Sequence, residues 1–194
     1  MASTARQDMI LSAIQLFRER GIDGTAFSDV IEHSGAPRGS IYHHFPGGKT
    51  QLVREATETA GRLMADAINA VAAGTDDPAV VLDAFVESWR PLLEGSGYQA
   101  GCPVAAAAVA SADVTGGADV AGEAFVSWEV VLASALERYG TSAERAASLA
   151  TLMVSSIEGA ILLCRSTGSF GPMERVRDEL KLVLTTAIPA STAP

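Results

Sequence analysis

Apolar positions along this chain recur at helical spacing almost from the first residue. Ile10, Ala13, Ile14 and Phe17 fall at i, i+3, i+4 and i+7, predicting a helix over residues 4–20 with one buried face. Gly21 ends it, and Gly24 lets the chain turn. A short second helix follows, capped by Ser28, with Phe27, Val30 and Ile31 inward. Ser34-Gly35-Ala36-Pro37 reads as a tight turn before a third short helix over 38–44. Phe45-Pro46-Gly47-Gly48 stops that helix, and Lys49 opens a long fourth one reaching about residue 73.

The rest of the chain keeps the same period. Asp77-Pro78 is a cap followed by proline at the first helical position, and that helix runs to about 94. After a loop over 95–101, Pro103 introduces an alanine-rich helix over 104–111, and a second loop covers 114–117. A helix over 119–139 gathers Phe125, Trp128, Val131, Leu132 and Leu136 near one face, and Gly140 ends it. Thr141 and Glu144 have capping-box spacing for a helix over 142–165. Pro172 starts a last helix to about 188, and the tail 189–194 is expected to fray. No internal repeat and no strand pattern emerges, so the expected fold is all-α: a three-helix head ahead of a larger helical body.

Composition agrees. The 194 residues are 48% hydrophobic and 19% charged, with more than thirty alanines but only two Trp and three Tyr. Such a chain is globular, and it suits helices better than strands. Two cysteines, Cys102 and Cys164, make neither a disulfide framework nor a zinc spacing. The first eight residues have no signal-peptide stretch. The longest uncharged run, 95–112, is interrupted by Gly97, Gly101 and Pro103, a poor membrane span. The expectation is a soluble cytoplasmic protein with no membrane partner, cofactor or metal.

Charge then divides the chain. The net charge is -9, yet residues 1–50 carry five basic and five acidic side chains and all three histidines. Residues 51–194 carry nine basic against eighteen acidic. A neutral, histidine-bearing head ahead of an acidic body suggests two modules, 1–48 and 49–194, joined by the fourth helix.

The two short helices around a glycine turn, with a helix packed across them, have the helix-turn-helix layout. Ile41 and Phe45, at i and i+4, would form the buried face of the second one. Arg38, Gly39, Ser40, Tyr42 and His43 would then face a major groove, Arg38 toward a guanine edge and His44 toward a phosphate. Lys49 adds a cation at a helix start, while Thr25 and Ser28 offer hydroxyls to the DNA backbone. A metal site at His43-His44 is disfavoured, since adjacent helical residues point about 100° apart.

The stretch TAFSDVIEHSGAPRGSIYHHFPGGKTQL, residues 25–52, resembles the DNA-binding head of the TetR family of transcriptional repressors. Two departures stand out. The turn Phe45 to Lys49 is a residue longer than in many members, and Ile31 replaces a common alanine. The body resembles the LmrA/YxaF-like branch through Gly101-Cys102-Pro103 and Glu158-Gly159-Ala160-Ile161-Leu162-Leu163. The resemblance implies a homodimer in which the last two helices pair with their symmetry mates. Two heads would then lie about 34 Å apart on successive major grooves of a palindromic operator duplex. Small residues Ala146, Ala150, Gly159 and Ala160, with Leu163, Val176, Leu180 and Leu184, are the candidate interface.

The resemblance also implies a small-molecule effector held in the body. Phe85, Trp89, Tyr98, Cys102, Phe125, Trp128 and Met153 are candidate lining residues, though each alone is more often core. Cys102 reads either as a redox or covalent site at a helix start or, more often, as a small buried hydrophobe. Glu158, a lone charge on an apolar helix, is either solvent-facing or a buried polar group with a task. The expected function is ligand-released repression. The alternatives are a helical enzyme or carrier with a coincidental head-like segment, and an activator or architectural DNA binder sharing the head. No nucleophile–base pair or phosphate-cradling loop supports the enzyme.

Overall fold

The computed structural model describes residues 5–37, 40–75, 77–111 and 117–187, with Ser40 and Ile41 described by backbone only. Nine helices and no strand occur among them: α1 (Ala5–Arg20), α2 (Phe27–Ser34), α3 (Ser40–His44), α4 (Gly48–Ala73), α5 (Pro78–Gly95), α6 (Pro103–Ala108), α7 (Gly117–Arg138), α8 (Ala143–Thr167) and α9 (Gly171–Ala187). The all-α expectation holds, and α1, α4 and α5 begin within a residue of their expected positions. The chain forms two compact units, Met1–Leu63 with Gln99–Phe125, and Met64–Tyr98 with Val126–Pro194. This division differs from a cut at residue 48: the α6 segment and the first part of α7 pack with the head.

In the first unit, α1 buries Met9, Ile10, Ala13, Ile14, Leu16 and Phe17. These side chains meet α2, α3 and α6. Val30 of α2 and Phe45, just after α3, are also buried, whereas Phe27 and Ile31 are half-buried. One start signal differs from expectation. Helix α2 begins at Phe27 after Ala26, and Asp29 caps it by accepting the Ala26 N–H at 2.9 Å. Ser28 is exposed at the second helical position and caps nothing, because the side chain three residues past the cap reaches back instead. Arg38 and Gly39, expected to open α3, lie outside the described residues.

In the second unit, α8 and α9 pack together, and α5 lies against both. Asp77 accepts the Ala79 N–H at 2.8 Å, with Pro78 at the first turn, as the Asp-Pro pair predicts. The Thr141–Glu144 capping box does not form. Ser142 occupies the cap without a side-chain bond, and the Thr141 hydroxyl is buried without a hydrogen-bond partner. Helix α8, 25 residues long, has the length and composition to cross a membrane, with mean hydropathy 1.7 over its most apolar 18 residues. Nine of its residues, from Ala146 to Cys164, are buried inside the unit, so it reads as a core helix.

Candidate nucleic-acid interface

The head presents its polar residues on the surface beyond α1. Tyr42 is 67% exposed, and its ring stands edge-on to Phe27 of α2, centroids 5.4 Å apart at 79°. That contact orients a large exposed aromatic from the base of the helix pair. His43 is exposed and His44 half-buried, their rings 5.4 Å apart. Phe45 is fully buried beneath them, and the guanidinium of Arg6 lies over its ring at 5.2 Å.

A hydroxyl and a cation expected at the DNA backbone also make contacts within the head. Thr25 is buried, and its hydroxyl donates to the Gly21 carbonyl at 2.7 Å, so it closes the α1–α2 turn rather than facing a phosphate. Ser28 remains exposed and available. The Lys49 Nζ donates to the Ile22 carbonyl at 2.7 Å, pinning the start of α4 to the same turn. An ammonium has three donors, so two N–H groups remain. Polar groups that sequence reading did not single out hold the following turn. The Gly47 N–H donates to Gln51 Oε1 at 2.8 Å, Gln51 Nε2 donates to Glu55 Oε1 at 3.0 Å, and Arg6 pairs with Glu55 Oε2. The i, i+4 spacing of Gln51 and Glu55 was the available signal.

The candidate effector residues fall in both units. Phe85, Trp89, Trp128 and Met153 are buried in the second unit, while Cys102 and Phe125 belong to the first. Tyr98 is half-buried with a left-handed backbone, φ 63°. The Trp89 indole N–H is buried and has no hydrogen-bond partner. Cys102 is 5% exposed and caps α6, its Sγ accepting the Ala105 N–H at 3.4 Å. Arg18 lies near it. Burial lowers the Arg18 guanidinium's pKa, and the Cys102 thiol and Glu19 act in the opposite sense. Cys164 is fully buried, and burial pushes its thiol up.

The candidate dimer residues divide by face. Ala146, Ala150, Ala160, Leu180 and Leu184 are buried within the chain's own unit, which leaves them no surface for a partner. The small residues of α8 serve its contact with the protomer's own helices. Gly159 and Val176 are half-exposed, and Leu163 is 53% exposed. The outward apolar face also includes Leu152 and Leu162 on α8 and Leu182 on α9. An ion network fixes α9 on α5. Arg90 bonds Glu87, Glu94 and Glu174 and stacks on Phe170 at 3.9 Å, while Asp83 takes Lys181 at 2.7 Å and lies 3.8 Å from Arg177.

An all-α chain with an exposed, aromatic-anchored helix after a short helical turn is a helix-turn-helix protein, and the comparisons identify its kind. Residues 10–56 match the family described as bacterial regulatory proteins, tetR family, and residues 78–179 match the LmrA/YxaF-like transcriptional regulator C-terminal domain. The chain belongs to the TetR family of transcriptional regulators, in its LmrA/YxaF-like branch. It is 40% identical over 190 residues to an uncharacterized HTH-type transcriptional regulator of Mycobacterium tuberculosis (strain H37Rv), covering 95% of this chain and 96% of that one. The HTH-type transcriptional regulator LmrA of Bacillus subtilis is 32% identical over 170 residues, covering 87% and 90%. Among solved structures, a TetR transcriptional regulator from Legionella pneumophila superposes with a TM-score of 0.82 at 21% identity, covering 94% and 98%. Regulators of this family are not enzymes, so the enzyme alternative falls away.

Proposed function

We propose that the chain is a ligand-responsive repressor that binds a palindromic operator duplex as a homodimer and leaves it when a small-molecule effector binds, acting in the cytoplasm beside the chromosome. The observation that carries the reading is Tyr42, held on Phe27 and exposed beside His43 above a buried Phe45. Arg38, Gly39, Ser40, Tyr42 and His43 read base edges, while Ser28, His44 and Lys49 meet phosphates. The outward face of α8 and α9, with Leu152, Leu162, Leu163 and Leu182, supplies the dimer contact. The acidic remainder of the chain repels DNA and confines contact to the heads.

Phe85, Trp89, Tyr98, Trp128 and Met153 are the residues of the second unit that an effector would meet. The unpartnered indole N–H of Trp89 favours a ligand with a hydrogen-bond acceptor. For a complete switch from 1:99 to 99:1, that ligand must favour the off-DNA form by about 5.5 kcal/mol. The test is selection from random duplexes at two salt concentrations. A two-fold symmetric site whose affinity falls steeply with salt supports the reading. No enriched sequence, even after unfolding and refolding to strip bound ligand, overturns it.

A further inference from the structure

A groove of about 580 Å³ opens between α1 and α4 in the head unit, apart from every residue assigned above to the effector. Its size falls in the range of small-molecule sites, about 300–1,000 Å³. Leu11 and Leu63 line it while 46% and 52% exposed, so apolar surface stands open there instead of packing. Its charges are unevenly committed. Glu55 has both oxygens engaged, by Arg6 and by Gln51, and Glu58 pairs with Arg54 at 2.9 Å. Arg62 follows Glu58 by one helical turn, yet makes no ion pair among the described residues. The charge left over in the groove is therefore a guanidinium, whose planar donors match a carboxylate.

We propose that this groove is a second ligand site, taking a small amphipathic carboxylate with its apolar body against Leu11 and Leu63 and its head on Arg62. Arg6 belongs to the groove wall, to the Glu55 pair and to the Phe45 ring. Glu55 is in turn bonded through Gln51 to the Gly47 N–H in the turn after α3. A ligand whose carboxylate sits on Arg62 and also draws Arg6, on the facing wall, away from Glu55 therefore loosens the support of the reading helix and lowers operator affinity. This second clause rests on the DNA-binding reading; ligand occupancy does not.

The test titrates the full-length protein with decanoate, and with decan-1-ol as the neutral match, by calorimetry. Saturable decanoate binding, weakened about tenfold by Arg62→Gln and also weakened by Leu63→Ser, with decan-1-ol much weaker, is the expected result. No saturable binding, equal binding of the alcohol, or binding that neither variant changes overturns the site. Operator affinity is then measured with and without saturating decanoate. A fall that Gln51→Ala abolishes supports the relay, and an unchanged affinity overturns it. Failure of the free protein to bind any operator sinks the DNA reading alone, because the calorimetry stands without DNA.

Discussion

The carboxylate of Asp23, in the α1–α2 turn, accepts both the backbone N–H of Ser111 at 3.0 Å and its hydroxyl at 2.7 Å, across 88 residues of chain. A second bond runs from the Gly101 N–H to the Arg18 carbonyl at 2.7 Å. The segment that carries α6 is thus tied at both ends to the end of α1, which is why it packs with the head. The Ser111 hydroxyl and N–H hold the Asp23 carboxyl below the usual carboxylate range. A depressed folded-state value stabilises the fold above the unfolded value, about 3.9, and that contribution fades as pH falls through the folded value. Asp23→Ala is expected to unfold at lower urea than the parent at pH 7, and the gap to narrow below about pH 4. A gap that stays constant down to pH 3 would show that the charge of Asp23 contributes nothing.

Lys49 joins the fold and the proposed DNA contact in one side chain. Lys49→Met leaves the Ile22 carbonyl without its donor, an expected cost of about 1 kcal/mol in stability. It also removes a phosphate contact, so the slope of log affinity against log salt should fall by about one unit per head. Stability is read by denaturant titration and the slope by operator binding at four salt concentrations. Loss of stability with an unchanged slope would confine Lys49 to the turn.

Much of this was legible in the chain because helix periodicity and caps are local. Ile10, Ala13, Ile14 and Phe17 marked one buried face, and Asp77-Pro78 marked a helix start that the Asp77 carboxylate caps. Direction around a helix was harder to read. Ala146, Ala150 and Ala160 looked like a surface for close approach, but small residues serve any tight helix contact, and here they face their own unit. Thr25 carries a hydroxyl that suits a phosphate or a turn carbonyl equally well, and only the fold shows which it meets. Asp23 and Ser111 were unreadable as a pair, since nothing local links residues so far apart.

The outward leucines of α8 supply a sharp contrast with its buried alanines. Leu162→Glu with Leu163→Glu places charge on a face that is 65% and 53% exposed in the protomer, so the fold should persist while the proposed dimer dissociates. Ala150→Glu instead buries a charge at a position with no exposed surface and should unfold the chain. Sedimentation velocity with circular dichroism separates the outcomes. A double variant that remains dimeric would move the interface elsewhere.

Gly61 of α4 lies against Ala124 of α7 so closely that a Cβ added there would stand 2.6 Å from the alanine methyl. Helices can cross at that distance only if one partner lacks a side chain, and the obstructing atom is a methyl with no rotamer to retreat into. Gly61→Ala therefore sets two effects against each other. Alanine favours an isolated helix by about 0.8–1.0 kcal/mol, whereas overpacking costs about 1–3 kcal/mol, so the net change should be destabilising. Ala124→Gly alone should also destabilise, through helix propensity and a small void. The double variant exchanges the methyl between the two helices and should recover much of the loss, giving a coupling well beyond the few tenths expected of independent sites. Denaturant midpoints of the four proteins measure that coupling. Strict additivity would mean that α4 and α7 do not meet at this pair in solution.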